Sequence, residues 1–320
     1  TRKNLKIYSQ KITYFKNKEL FTTEGKSKAL YNNVVIDAKN FEYDKISNIL
    51  IAKDNVEIND KEKNLKIYSQ KITYFKNKEL FTTEGKSKAL YNNVVIDAKN
   101  FEYDKISNIL IAKDNVEIND KEKNLKIYSQ KITYFKNKEL FTTEGKSKAL
   151  YNNVVIDAKN FEYDKISNIL IAKDNVEIND KEKNLKIYSQ KITYFKNKEL
   201  FTTEGKSKAL YNNVVIDAKN FEYDKISNIL IAKDNVEIED KIKNYLIFTE
   251  KATYLKNQEK IFTNGKTKAK IQSKYNFLSK NVFLDRNQME LSSSNNSIIE
   301  DDDSIYIDFQ VLNIFMMKNY

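Results

Sequence analysis

From Lys3 to Ile238 every residue recurs sixty positions later, wherever both positions fall in that span. The run NLKIYSQKITYFKNKELFTTEGKSKALYNNVVIDAKNFEYDKISNILIAKDNVEI begins at Asn4, Asn64, Asn124 and Asn184. A diverged fifth copy follows from Lys243. Such a chain is an array, in which each unit buries its apolar face against its neighbours. The repeat overrides the two-domain expectation that 320 residues would otherwise raise. Residues 1–240 read as four near-identical copies. Residues 241–320 read as the fifth, with a C-terminal cap or a lead-in to a missing barrel, all in one continuous body.

Composition narrows the function. Proline, cysteine, histidine and tryptophan are absent, so disulfides and Cys or His metal sites are excluded. Nucleophilic dyads and triads are largely excluded with them, and an enzyme is not expected. Glu300-Asp301-Asp302-Asp303 has the chemistry to take a divalent cation, but reads as a solvated turn or linker. No metal or other cofactor is expected. The chain holds 56 Lys+Arg against 45 Asp+Glu, a net charge of +11. One unit has 11 lysines and 9 acids, with the signs interspersed, which reads as a solvated face. Nucleic-acid binding would call for clustered basic residues with stacking aromatics, so no nucleic-acid partner is expected. No apolar run is long enough to span a bilayer; Ile49-Leu50-Ile51-Ala52 is typical. The chain starts at Thr1 without Met and reads as a fragment or processed form.

The unit divides again. Aligning Leu5 onto Val34 superposes Ile7 on Ile36, Ile12 on Phe41, Tyr14 on Tyr43 and Phe21 on Leu50, giving two halves of about thirty residues. Each half reads as strand. Leu5, Ile7 and Ser9 alternate with Lys6, Tyr8 and Gln10, and the phase then slips so that Ile12 and Tyr14 are the next apolar pair. A single slip in a period-2 pattern marks a bulge or corner where a strand bends. No window sustains a helical period, and the Ile, Val, Thr, Tyr and Phe content suits strands.

The five glycines fall at one place per copy: Gly25, Gly85, Gly145, Gly205 and Gly265. The matching place in the other half is Asp54-Asn55. These residue types tolerate positive φ. Inside a strand they point to a bulge in preference to a hairpin turn. The expected architecture is all-β, with bent strands in antiparallel hairpins. Its inward set mixes Ile7, Ile36, Leu50, Val56 and Ile58 with Ser9, Ala29, Ala38 and Ala52. That mixture fits an open groove and a tight sandwich equally.

Ile36-x-Ala38-x-x-Phe41-x-Tyr43-Asp44, followed by Asn48-x-Leu50-x-Ala52-x-Asp54-Asn55-Val56-x-Ile58, resembles the OstA-like repeat of lipopolysaccharide transport proteins. The first half departs more, with Gly25-Lys26-Ser27 at the place of the Asp54-Asn55-Val56 triplet and Ser9 at the place of Ala38. In the fifth copy, Lys268-Ala269-Lys270-Ile271 and Leu284-Asp285-Arg286-Asn287-Gln288-Met289-Glu290-Leu291 look like the periplasmic part of the LptD members. The LptA members share the repeat.

The resemblance implies an elongated antiparallel β-jellyroll, or β-taco, whose interior holds lipid acyl chains. It implies a non-catalytic periplasmic bridge that carries lipopolysaccharide towards the outer membrane. Groove lining would then fall to Ile7, Ile36, Ala38, Phe41, Leu50, Ala52, Val56 and Ile58. The later copies would supply Ile96, Leu110, Val116, Ile118, Ile156, Leu170, Val176, Ile178, Ile216, Leu230, Val236 and Ile238. Implied partners are lipopolysaccharide, other β-jellyroll Lpt proteins and, for an LptD, its outer-membrane barrel. The alternative is a structural spacer, adhesin stalk or engineered array with a dry interior. Lys3 to Tyr14 is expected to form an edge that accepts a partner's strand. Ile305, Ile307, Phe309, Val311 and Ile314 are expected to form a closing strand or the lead-in to the barrel.

Overall fold

The computed structural model describes residues 5–301 and the strands Tyr306–Phe309 and Leu312–Phe315. Among these residues the chain is all-β and antiparallel, with short 3-10 turns and no α-helix. No helix is long and apolar enough to cross a membrane. Contacts group the chain into two units, Thr1–Asn152 with Asn160–Ile166, and Asn153–Lys159 with Ser167–Tyr320.

In the first unit the long strands set the plan. Ile49–Asp60 pairs with Leu65–Phe75 along its length, with a register shift between Lys53 and Val56. On its other side Ile49–Asp60 meets two short strands, Asn40–Asp44 before the shift and Val34–Ala38 after it. Leu65–Phe75 likewise meets Leu80–Glu84 and Ser87–Tyr91. Each pair of short strands thus lies along one long strand that bends between them. The result is a folded sheet with two limbs. One limb carries Ser27–Tyr31, Val34–Ala38 and Val56 to Asp60; the other carries Leu20–Glu24, Asn40–Asp44 and Ile49 to Lys53. The second unit repeats the plan with Ile229–Asp240 and Tyr245–Leu255.

The bend is where the period-2 phase slips. Asp54 and Asn55 both have positive φ, at 67° and 53°. Gly25 stands at φ 82° between two strands that continue each other, so its place is a bend and not a hairpin turn. In the fifth copy Gly265 lies inside one continuous strand, Lys260–Ile271, opposite a register shift between Thr249 and Lys251. Breaking the pleat there would leave backbone groups unpaired, and hydroxyls fill the gap. Ser87 Oγ lies 2.9 Å from both Ser69 Oγ and Thr83 Oγ1. Thr83 Oγ1 accepts the Phe101 N–H at 2.7 Å, and Ser69 Oγ lies 3.2 Å from the Glu84 carbonyl. The same triad recurs as Ser207, Ser189 and Thr203, and as Thr267, Thr249 and Thr263. The inward serines are therefore polar fittings of the bend.

Apolar side chains fill the space between the limbs. Ala29, Ile36, Ile58 and Ile67 line one limb, and Phe41, Leu50, Ala52, Ile72 and Tyr74 the other; all are buried. Aromatic rings stack along the second limb, with Tyr74 to Phe81 at 4.2 Å and Phe81 to Tyr103 at 6.0 Å between centroids. In the second unit Ser297–Glu300 pairs with Tyr306–Phe309, and Glu290–Ser293 with Leu312–Phe315. Of the expected closing residues, Ile305 and Val311 lie outside the described residues.

Candidate functional site

The inter-limb space is the one place where the apolar repeat converges. Within each unit its lining follows from strand alternation: Ile36 sits opposite Ala29 and Ile58, and Phe41 opposite Ala52. Ala38, Leu50 and Val56 complete the first copy's buried set. The equivalents Ile96, Leu110, Val116, Ile118, Ile156, Leu170, Val176, Ile178, Ile216, Leu230, Val236 and Ile238 are buried as well. Ile7 differs. It is only half-buried, because among the described residues its strand, Lys6–Tyr8, pairs on one side alone, with Ser27–Tyr31.

The same edge exposes more. Ile12 is 48% exposed and its sixty-residue counterpart Ile72 only 1%. Tyr8, Tyr14 and Phe15 are exposed with Ile12. Lys3 and Asn4, the first residues of the expected edge, lie outside the described residues.

Opposite the bend, the limbs end in turns, and these turns meet along a seam. Asp60, at the end of one limb, is 0% exposed. Its Oδ2 accepts from Tyr103 Oη at 3.1 Å and from Lys105 Nζ at 3.2 Å, both on the other limb. Its Oδ1 accepts the Lys63 N–H at 3.2 Å and so shapes its own turn. Lys136 Nζ donates to the Lys63 carbonyl at 3.0 Å. It stands 4.7 Å from the Tyr91 ring centroid and 5.5 Å from that of Tyr103. Tyr91 Oη donates to Glu139 Oε1 at 2.6 Å. Further along the first unit, Tyr163 Oη donates to Asp120 Oδ2 at 3.3 Å.

The second unit builds its own rungs. Tyr223 Oη donates to Asp180 Oδ2 at 3.1 Å, and Lys225 pairs with Glu182 at 3.5 Å. Lys256 lies 4.5 Å from the Tyr211 ring and 4.9 Å from that of Tyr223, and its amine has no hydrogen-bond partner. In the fifth copy an arginine takes over. Arg286 donates to Asp240 Oδ2 at 2.7 Å, Tyr245 Oη at 2.8 Å and Tyr254 Oη at 2.6 Å, and pairs with Glu259. Leu284 stands where the earlier copies have tyrosine.

Burial sets the electrostatics of the seam. It holds the Lys136 amine down at about 8 and the Lys256 amine at about 7. It pushes the Tyr103 hydroxyl well above the usual phenol range, and the Asp60 carboxylate adds to the effect. Lys105, Lys136, Lys196 and Lys256 are buried, exceptions to the solvated face that the first copy's lysines from Lys6 to Lys61 form. Burial follows from position.

The seam differs from the bend in what holds it. The bend is continuous backbone. Within each unit, none of the turn backbone–backbone hydrogen bonds described crosses the seam: Lys61 bonds Asn33 on one side, and Lys76 bonds Asn48 on the other. Side chains alone close it. Sequence reasoning missed the seam, although Tyr-Asp-Lys from Tyr43, Tyr103, Tyr163 and Tyr223 and Asp-Lys-x-Lys-Asn from Asp60, Asp120, Asp180 and Asp240 recur at the repeat spacing and gave a signal.

No cluster of carboxylates suited to a metal ion is present among the described residues. Asp302 and Asp303 lie outside them. A surface hollow of about 520 Å³ at the bend is lined by Glu237, Phe248, Lys266 and Lys268.

Among known proteins, no family model and no curated protein matches this chain. One solved structure with a likeness is LptH from Pseudomonas aeruginosa, described as the LptA-homologous periplasmic component of the lipopolysaccharide transport device. The identity is 12% and the TM-score 0.32, over 35% of this chain and 82% of that one.

Proposed function

We propose that this chain is a non-catalytic bridge module that carries lipopolysaccharide by its acyl chains, held between the limbs of the folded sheet. The carrying observation is the contrast between its two long edges: backbone joins the limbs at the bend, and side chains alone join them at the seam. The closed interior is filled, so lipid enters by parting the seam. Exposing an acyl chain to water costs about 0.8 kcal/mol per CH₂. The walls that remove this cost are Ile36, Ala38, Phe41, Leu50, Ala52, Val56 and Ile58, with their repeats. Identical copies make successive positions nearly equal in energy, so no one of them traps the lipid.

The setting of this reading is the periplasm, in association with the outer membrane. The half-paired strands Lys6–Tyr8 and Lys11–Phe15 are the docking edge for another β-jellyroll protein, which would cover Ile12 and Tyr14. At the other end, the reading as LptD would add an outer-membrane barrel.

A photo-crosslinker at Ile36, Leu50 or Ile58 should capture lipopolysaccharide, and one at Lys6 or Glu57 should not. Equal capture at both sets would sink the reading. The filled interior favours one rival, a structural spacer with a permanently dry core. Tyr74, Phe81 and Tyr103 pack it with almost no exposure. Native mass spectrometry without bound lipid, together with no capture at Ile36, would select the spacer.

A further inference from the structure

We propose that acid opens the seam at Lys256, because the closed seam has room for the amine of that residue but no partner for its proton. The geometry is specific. Lys256 is 1% exposed and its amine is enclosed by Tyr211 from one limb and Tyr223 from the other. No carboxylate is left for it. Asp180 is taken by Tyr223 Oη and by the Lys183 N–H. Glu182 is taken by Lys225 and the Asn153 interaction. Glu259, on the same turn as Lys256, is taken by Tyr254 and Arg286. The cation nearest in effect is Lys183, which works against a second positive charge. Lys136 has a similar seat but donates to the Lys63 carbonyl, so Lys256 is the weaker rung.

The tyrosine faces give a protonated amine some cation–π attraction, and Asp180 adds to it at longer range. Neither offsets the loss of water. Burial holds the closed-seam amine at about 7, whereas an amine released into water returns to about 10.5. The open seam therefore binds the proton more tightly. Between these two values each unit of acidification multiplies the ratio of open to closed by up to about tenfold, and below the lower one the ratio levels off. The inference concerns the clasp alone and holds whether lipid or nothing enters the parted limbs.

The chain has no cysteine, so Leu230→Cys places a single thiol on the buried face beside this rung, at a position paired with Tyr223 and Tyr254. Its alkylation by iodoacetamide would be followed from pH 7 to 10 without lipid, alone and combined with Lys256→Met. Dividing the two rates cancels the titration of the thiol. The ratio should climb up to about tenfold per unit as pH falls through the window. Lys256→Arg, charged throughout, should leave the thiol reactive at every pH. A flat ratio would overturn the proposal. If Lys256→Met unfolds, Lys256→Gln serves as the neutral variant. A Lys256 amine that titrates at its ordinary value in the closed protein, by nitrogen NMR, would also overturn it. Because no lipid is present, failure here leaves the crosslinking test of transport untouched.

Discussion

Tyr103 donates a hydrogen bond to Asp60 across 3.1 Å, although 43 residues separate them in the chain. Asp60 ends one limb of the folded sheet and Tyr103 the other. Their contact turns a V-shaped pair of limbs into a closed section. The bond is buried on both sides, so its loss is not made good by water.

Replacing Asp60 with alanine leaves both Tyr103 Oη and Lys105 Nζ without their buried acceptor. The local loss should be about 3 kcal/mol, as for breaking a buried ion pair from one side. Tyr103→Phe removes one bond and should cost about 1–2 kcal/mol. Amide hydrogen exchange in Leu65–Phe75 and Asn100–Asp104 reads the effect locally, which suits an array better than one global midpoint. If both variants match wild type, the seam contributes nothing to closure.

Ile12 and Ile72 have the same sequence neighbours and different surroundings. Ile72→Lys puts an unpaired charge into the core and should unfold its copy, at a cost above about 4 kcal/mol. Ile12→Lys should change stability by less than about 0.5 kcal/mol and weaken association at that edge. Light scattering over a concentration series gives the association, and denaturant curves give the stability. Equal loss of stability in the two variants would contradict the edge assignment.

Gly145 has φ 87°, and a Cβ there would meet Gln130 only at ordinary distances of 3.7 Å and more. The cost of Gly145→Ala is thus one of backbone conformation, about 1–2 kcal/mol. Gly25→Ala should cost about the same, because the close Gln10 Oε1 at 2.5 Å is the end of a flexible chain. A cost near zero at Gly145, in the chemical denaturation of that copy, would mean the bend does not require positive φ.

Lys136 supplies a pH dependence of defined sign. Its amine sits at about 8 in the folded protein, below its ordinary value, mainly because it is buried. The unfolded chain therefore binds more protons between about 8 and about 10.5. Stability should rise with pH through that window, level off above it, and stay at its lower value below about 8. Lys136→Met should flatten this part of the profile and raise stability at pH 7. Thermal melts of both proteins from pH 7 to 10 check the slope.

Much of the fold was legible because strands write their faces into the sequence with period two. The slip between Ser9 and Ile12 located the bend, and the single glycine of each copy fell there with positive φ. The inward apolar set was legible for the same reason, since alternation assigns a face to Leu50, Ala52, Val56 and Ile58 without reference to their partners. The serines were legible as inward but not as hydrogen-bonded. Ser69, Ser87 and Thr83 meet only because three strands bend at one level.

By itself, the sequence determined the strand pattern, the repeat, the place of each bend and the apolar wall. These are local properties, set by residue type and by spacing along a few neighbours. Tertiary structure alone decided what lies opposite what. Ile12 and Ile72 are the same residue in the same local sequence, yet only one has a neighbouring strand on both sides to cover it. Lys136 and Lys18 both sit in a Lys-Asn-Lys turn, but only Lys136 reaches the facing limb. Closure joins Asp60 to Tyr103 and Lys63 to Lys136, pairs 43 and 73 residues apart. At such distances hydration and pairing depend on the folded section and not on the chain.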